Sequence, residues 1–354
     1  MSTLILPCAG RSTRFQGVRP KWMLTYPDGK LMIQKAIEGL ESSSLDRIII
    51  TIVKEHSEKY DAGTIIKQAF GNKVEICVLD DYTSSQSETV ALTIKKMAVN
   101  GKFISKDCDS YAKVSVDQID NLLVGVNLRK YLEITNVAGK SFIVLNEQNM
   151  VVDIIEKSVC SNIISIGIYG FKSADEFLEA QKAIKDTWDS ERGEIYMSHV
   201  VSYMIGQKNY FSYFEAAEYE DWGLITDWRR VQRRMQTYII DVDGIIVMNK
   251  GKYGRVNWDN EDIPLENNLK VIKKLADKGA QIIFCTARPE SQRSKLECLL
   301  MAAGISWHCI VMGCNHSKRV IINDFANTNS YPSCEAINVH RDGDNLKEYI
   351  VDNG

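Results

Sequence analysis

Apolar runs of strand length alternate along the chain with stretches of helical spacing. The runs at 4–6, Arg47–Val53, 74–79, 102–105 and 163–169 read as strands, and 31–40 reads as a helix between the first two. This alternation predicts an α/β layout with a largely parallel sheet. Further on, TWDSERGEIYMSHVVSYMI reads as an acidic helix start running into an amphipathic helix, and DWGLITDWRRVQRRMQ as a basic helical stretch. TYIIDVDGIIV then opens a fresh strand and turn near Tyr238, followed by a helix over 269–278, a strand at Gln281–Cys285, a helix over 294–303 and a strand at 319–322. Two α/β domains are expected, 1–233 and 237–354, with the boundary at 233–237 and little linker. No internal repeat or low-complexity segment interrupts them.

A length of 354 residues agrees with two domains, and 45% hydrophobic with 25% charged residues is ordinary globular composition. The net charge of -3 provides no overall basic field for nucleic acid or an anionic membrane, so any nucleotide must be held by a local site. The nine cysteines are odd in number and scattered, which fits a reduced, cytoplasmic setting. The start MSTLILPCAG has no basic n-region or long apolar h-region, and no run of about 18 apolar residues exists for a spanning helix. A homo-oligomeric state is left open.

The first candidate chemistry follows the first strand, in Leu6-Pro7-Cys8-Ala9-Gly10-Arg11-Ser12-Thr13-Arg14-Phe15 and then Pro20-Lys21-Trp22-Met23-Leu24. Small residues after a strand let backbone N–H groups approach a polyphosphate, with Arg14 as a fork and Lys21 as a point charge. Taken alone, the string could be a surface turn with incidental basic residues. Together with later segments it resembles the sugar-phosphate and phosphocholine nucleotidyltransferase family, over about residues 3–230. Those segments are Ser85-Gln86-Ser87-Glu88-Thr89, Asp107-Cys108-Asp109, Glu156-Lys157, Asn162, Gly167 and Glu220-Asp221-Trp222-Gly223. Ser12 stands where many members have a second glycine. The resemblance implies a Rossmann-like domain with a mixed sheet that binds a nucleoside triphosphate and a small phosphorylated acceptor. It implies nucleotide contacts at Leu6, Cys8, Ala9, Gly10, Arg11, Ser12, Thr13, Arg14, Lys21, Gln86, Ser87, Glu88 and Thr89. Acceptor contacts are implied at Glu156, Lys157, Asn162 and Gly167, and Mg²⁺ ligands at Asp109, preferred over Asp107, and Asp221. CTP is favoured over UTP.

The second candidate is Asp241-Val242-Asp243-Gly244, two carboxylates two residues apart at a strand end and so facing the same way. Alone it could be a Ca²⁺-type loop or a plain turn. With Thr286-Ala287-Arg288, Lys318 and Asp324 it resembles the haloacid-dehalogenase-like (HAD) phosphatases, over about 237–350. The resemblance implies Asp241 as nucleophile and Asp243 as general acid/base. It also implies phosphate contacts from Thr286, Ala287, Arg288 and Lys318, with Arg319 a rival for the Lys318 role, and Mg²⁺ held by Asp241, Asp243 and Asp324. About 45 residues separate Asp241 from Thr286, and fewer separate Thr286 from Lys318, so this smaller domain is expected to be capless. Two Cys and two His over 308–316 lack the ligand order of a common zinc finger and read as packing. The expected protein is bifunctional, with transfer and hydrolysis serving surface-polysaccharide precursors. The alternatives are a transferase with an inert second domain or, less favoured, a nucleotide sensor.

Overall fold

The computed structural model describes residues 2–15, 17–116, 119–134, 136–189, 191, 193–250, 255–324 and 334–350. The chain forms two compact units, Met1–Ile225 and Thr226–Gly354. The division falls ahead of the expected 233–237, because the basic stretch forms a helix, Ile225–Arg234, that is grouped with the second unit save for its first residue. Spacing shows that such a helix has an apolar face but not which neighbour takes it.

In the first unit the strands are β1 Thr3–Pro7, β2 Leu40–Glu41, β3 Arg47–Val53, β4 Glu75–Leu79, β5 Phe103–Lys106, β6 Ser110–Ser115, β7 Leu122–Asn127, β8 Ser141–Leu145, β9 Met150–Glu156, β10 Ile163–Phe171, β11 Phe211–Glu215 and β12 Glu218–Asp221. Helices α1 Met32–Glu38, α2 Lys54–Tyr60, α3 Ala62–Phe70, α4 Gln86–Lys96, α5 Ala174–Thr187 and α6 Met197–Gly206 accompany them. Nine strands make one mixed sheet in the order β4-β3-β1-β5-β10-β7-β11-β9-β8, while β12-β6-β2 form a small second sheet. Strands β1, β3, β4 and β5 run parallel, and β10 runs antiparallel between β5 and β7. Within β1, Leu4 and Leu6 enter one core and Ile5 the other. Both faces of this strand are buried, so its apolar run carries no polar alternation. The parallel strands end along one edge of the sheet, where β1 leads into the Gly10 turn and β5 into Asp107.

The second unit contains α7 Ile225–Arg234, β13 Thr237–Asp241, α8 Arg255–Trp258, α9 Glu266–Asp277, β14 Gln281–Cys285, α10 Arg293–Ala302 and β15 Cys309–Val311. Its three strands are parallel in the order β13-β14-β15, over a core that includes Val242, Ile272, Phe284 and Leu300. The strand expected at 319–322 does not form. Val320, Ile321 and Ile322 are 70%, 51% and 93% exposed, and Arg319 donates to the carbonyls of Asn315 and Ser317 at 3.0 and 2.9 Å. A β-branched run has strand propensity, yet it becomes a strand only beside a pairing edge. No helix among the described residues is long and apolar enough to cross a membrane.

Candidate active site

The turn after β1 starts from buried positions, Cys8 and Ala9, that leave only backbone to offer. Leu6, Cys8 and Ala9 are at most 3% exposed, and the Cys8 amide is already given to the Thr51 carbonyl at 2.8 Å. An anion nest can therefore begin only beyond Cys8, at the amides of Ala9, Gly10 and the residues that follow. Ser12 stands at φ +50°, in the left-handed region that glycine occupies without strain. The phosphate-type side chains diverge from there. Arg11 stacks its guanidinium 4.8 Å from the Tyr82 ring centroid, and Thr13 is exposed. Arg14 turns toward Gly223, where an added Cβ would lie 4.0 Å from its Nη1.

Gly223 marks the centre of the site. The same added Cβ would lie 3.2 Å from Asp221 Oδ1 and 3.6 Å from Asp109 Oδ2, so two distant segments bring their carboxylates together. The Gly223 amide donates to Asp221 Oδ1 at 3.1 Å, and the Trp222 amide to the Asp109 carbonyl at 2.9 Å. Each carboxylate carries a lysine. Lys21 Nζ lies 2.5 Å from Asp109 Oδ2, and Lys140 pairs with Asp221. Burial is the largest single effect on each member of the Lys21–Asp109 pair and opposes its charge, but the partner and the neighbouring groups together outweigh it. The lysine is raised and the carboxyl lowered from their ordinary values. Asp107, on the other side of Cys108, is pushed up to about 7, first by burial and then by the Asp109 charge. Lys106 is fully buried, donates to the Ser110 carbonyl at 3.0 Å and is pulled down to about 8 by that burial.

Of the four residues at the start of α4 implied as nucleotide contacts, Gln86 is the one that reaches this cluster, donating its side-chain amide to Asp107 Oδ1. Ser87 donates to the Ile195 carbonyl at 2.7 Å, Glu88 accepts from Ser84 and Lys185, and Thr89 pairs with Thr83 at 2.6 Å. These three hold the start of α4 in place. On the acceptor side, Glu156 Oε2 accepts from Ser198 Oγ at 2.5 Å and from Ser141 Oγ. Lys157 bonds the Tyr196 hydroxyl and lies 4.0 Å from that ring's centroid. Asn162 is exposed, its carbonyl accepting from the Leu128 amide at 2.8 Å. Gly167 supports Asp107 directly. It accepts the Asp107 amide at 2.8 Å, and at its φ of +77° any Cβ would fall 2.2 Å from Asp107 Oδ2. Sequence reading passed over two members of the cleft. Lys140 belongs to no motif and gives no spacing signal, while Glu194, raised by burial with Lys157 and Arg14 among its neighbours, sits in an irregular segment.

In the second unit, Asp241 closes β13 in register with Cys285 of β14, so Asp241 and Thr286 stand at adjacent strand ends. Asp241 Oδ1 accepts the Val242 amide at 2.8 Å and lies 3.9 Å from Arg319 Nη2, with its side chain 52% exposed. Thr286 is fully buried and accepts the Arg288 amide at 3.1 Å, beside half-buried Ala287. The remaining expected residues are kept apart. The Arg288 side chain is 0% exposed and held at 2.8 Å by both Asp243 and Asp262, which takes it out of reach of a phosphate. Lys318 and Asp324 are exposed on the irregular segment where the strand was expected. Among the described residues no three metal-type ligands converge, so Asp241, Asp243 and Asp324 do not form the expected set. The cause is twofold: no strand carries Asp324 to the sheet edge, and Asp243 is turned to Arg288.

No protein-family model matches the chain, and no curated protein does. Among solved structures, the chain is similar to the nucleoside-diphosphate-sugar pyrophosphorylase from Vibrio cholerae RC9, at 20% identity and a TM-score of 0.53, over 65% of this chain and 99% of that one. It is also similar to a Bacillus anthracis protein described as a glucose-1-phosphate thymidylyltransferase, at 16% identity and a TM-score of 0.51, over 65% of this chain and 94% of that one. The second unit is too short to supply that share, so the likeness rests mainly on the first. At these identities the comparison establishes the fold: a mixed α/β fold shared with structures of nucleotidyltransferases.

Proposed function

We propose that the first unit transfers a nucleoside monophosphate from a triphosphate, CTP ahead of UTP, to a sugar, polyol or amino-alcohol phosphate. The observation that carries this reading is the convergence of Asp109 and Asp221 on Gly223, with Lys21, Lys140 and Arg14 around them. An acceptor phosphate oxygen would attack the α-phosphorus, forming one P–O bond as the bond to the β-phosphate breaks and pyrophosphate leaves. Such chemistry depends on positioning and charge neutralisation. The two carboxylates suit Mg²⁺, a hard ion that is commonly completed by phosphate oxygens and water. Bound there, Mg²⁺ would neutralise charge on the reacting phosphates. Lys21 would neutralise the α-phosphate or the incoming phosphate, and Arg14 the departing pyrophosphate. Glu156 and Lys157 would hold the acceptor. The test is pyrophosphate release from a panel of triphosphates and phosphorylated acceptors with Mg²⁺. Release that requires both substrates is expected; none on any pair would overturn the reading.

A second activity, phosphate-ester hydrolysis by a HAD-like second unit, is favoured by one observation, the adjacent strand-end positions of Asp241 and Thr286. Asp241 would attack phosphorus as the bond to the ester oxygen breaks and the alcohol leaves, water would then release phosphate from the aspartyl-phosphate, and Thr286 would contact the phosphate. Both activities together would serve surface-polysaccharide precursors.

A further inference from the structure

Lys140 precedes β8, and its carbonyl accepts the Lys157 amide at 3.0 Å. The next ladder pair is Ser141 with Glu156. Lys140 is therefore fixed by its backbone against the Glu156–Lys157 corner, while its ammonium reaches away to Asp221. Both partners of that pair are mostly shielded, at 17% and 16% side-chain exposure. One residue thus touches the carboxylate that a divalent cation would use and the strand end that would hold the acceptor.

We infer that Lys140 couples the two: it competes with a divalent cation for the Asp221 carboxylate and, once displaced, binds the acceptor phosphate beside Lys157. This rests on the transfer reading above. A divalent cation on the Asp221 carboxylate places a second positive charge beside the ammonium, and their repulsion weakens the Lys140 ion pair. Displacement leaves a long flexible side chain whose backbone stays anchored, so its charge can serve only nearby. Of the two phosphate substrates, the acceptor is the one assigned to the Glu156–Lys157 corner to which the Lys140 backbone is tied.

The experiment uses the full chain and Lys140→Met. Free Mn²⁺ is followed by electron paramagnetic resonance with a non-hydrolysable α,β-methylene triphosphate, and the acceptor KM is measured separately. Loss of the competitor should tighten Mn²⁺ binding about fivefold, the weight of one partly exposed ion pair. Loss of a charge-assisted bond should raise the acceptor KM about tenfold or more. Lys140→Arg should restore most of the acceptor affinity. Opposite signs distinguish coupling from a structural role, which would weaken both. Wild-type Mn²⁺ affinity in Lys140→Met, or an unchanged acceptor KM, would overturn the inference alone. If Lys140→Met does not fold, a Lys140→Arg protein that fails to hold acceptor affinity overturns it. A wild type that binds no Mn²⁺ and releases no pyrophosphate would instead sink the transfer reading on which it rests.

Discussion

The two candidate sites share a design, carboxylates at or just beyond strand ends, but differ in how far their parts come together. In the first unit, Asp109 follows β5 and Asp221 closes β12, more than a hundred residues apart, yet both reach Gly223 with a lysine on each. In the second unit, Asp241 and Thr286 stand at adjacent strand ends because β13 and β14 pair in register, and among the described residues no cluster of three metal-type ligands forms there. Asp243 is bound to buried Arg288, and Asp324 lies on an exposed segment. Ion pairing thus serves opposite ends in the two places. Around Gly223 the lysines hold carboxylates that face the cleft, whereas Arg288, fully enclosed between Asp243 and Asp262, ties the second unit together.

The largest expected effect tests the first half of that contrast. Asp221→Asn should cut nucleotidyl transfer by at least about 10³-fold, since one anchor of the transition-state charge is removed. Circular dichroism should show the fold unchanged, and turnover near wild type at saturating Mg²⁺ would remove Asp221 from the site. Arg288→Met tests the second half. It removes the guanidinium that two shielded carboxylates share, leaving Asp262 with Lys295 at 3.5 Å, and should cost the second unit about 3–5 kcal/mol in urea unfolding. A cost well under 1 kcal/mol would mean the carboxylates turn to water and the pair is incidental. Asp241→Asn asks whether the sites work separately. A carboxamide cannot form an aspartyl-phosphate, so any hydrolysis of small phosphate esters should vanish while transfer stays within a few-fold of wild type. Equal ester hydrolysis by wild type and variant would take Asp241 out of the reaction. No hydrolysis by wild type on a broad panel would favour a second unit that is structural.

Legibility in the sequence followed burial and motif density. β1 and β3 stood out because they lie inside a sheet covered on both faces, and their apolar runs have no other use. The residues around Gly223 were findable because Asp109, Asp221 and Lys21 recur in an ordered series of short strings. Lys140 was not, since a single lysine after a loop looks the same whether it faces solvent or a carboxylate. The run Val320-Ile321-Ile322 misled for the converse reason: propensity is local, but pairing is not. Arg288 misled because a basic residue after a strand suggests a phosphate, while two carboxylates from distant segments decide its actual partners.

The smallest expected effect concerns Ser12, where the sequence departs from glycine and the backbone does not. Its φ of +50° costs an L-residue about 1–2 kcal/mol. Glycine would remove that strain but gain about 0.4–1 kcal/mol of unfolded-state entropy. The hydroxyl contributes little against this, because its contact with the Lys21 amide is 3.5 Å long, at the edge of a hydrogen bond. The balance predicts that Ser12→Gly stabilises the first unit by about 0.5 kcal/mol, read from its urea midpoint. Ser12→Val should destabilise it, since a β-branched residue is worse placed at positive φ. If Ser12→Gly instead destabilised the unit, the hydroxyl would have to be holding Lys21, and the cradle would depend on a side chain where the backbone alone now accounts for it.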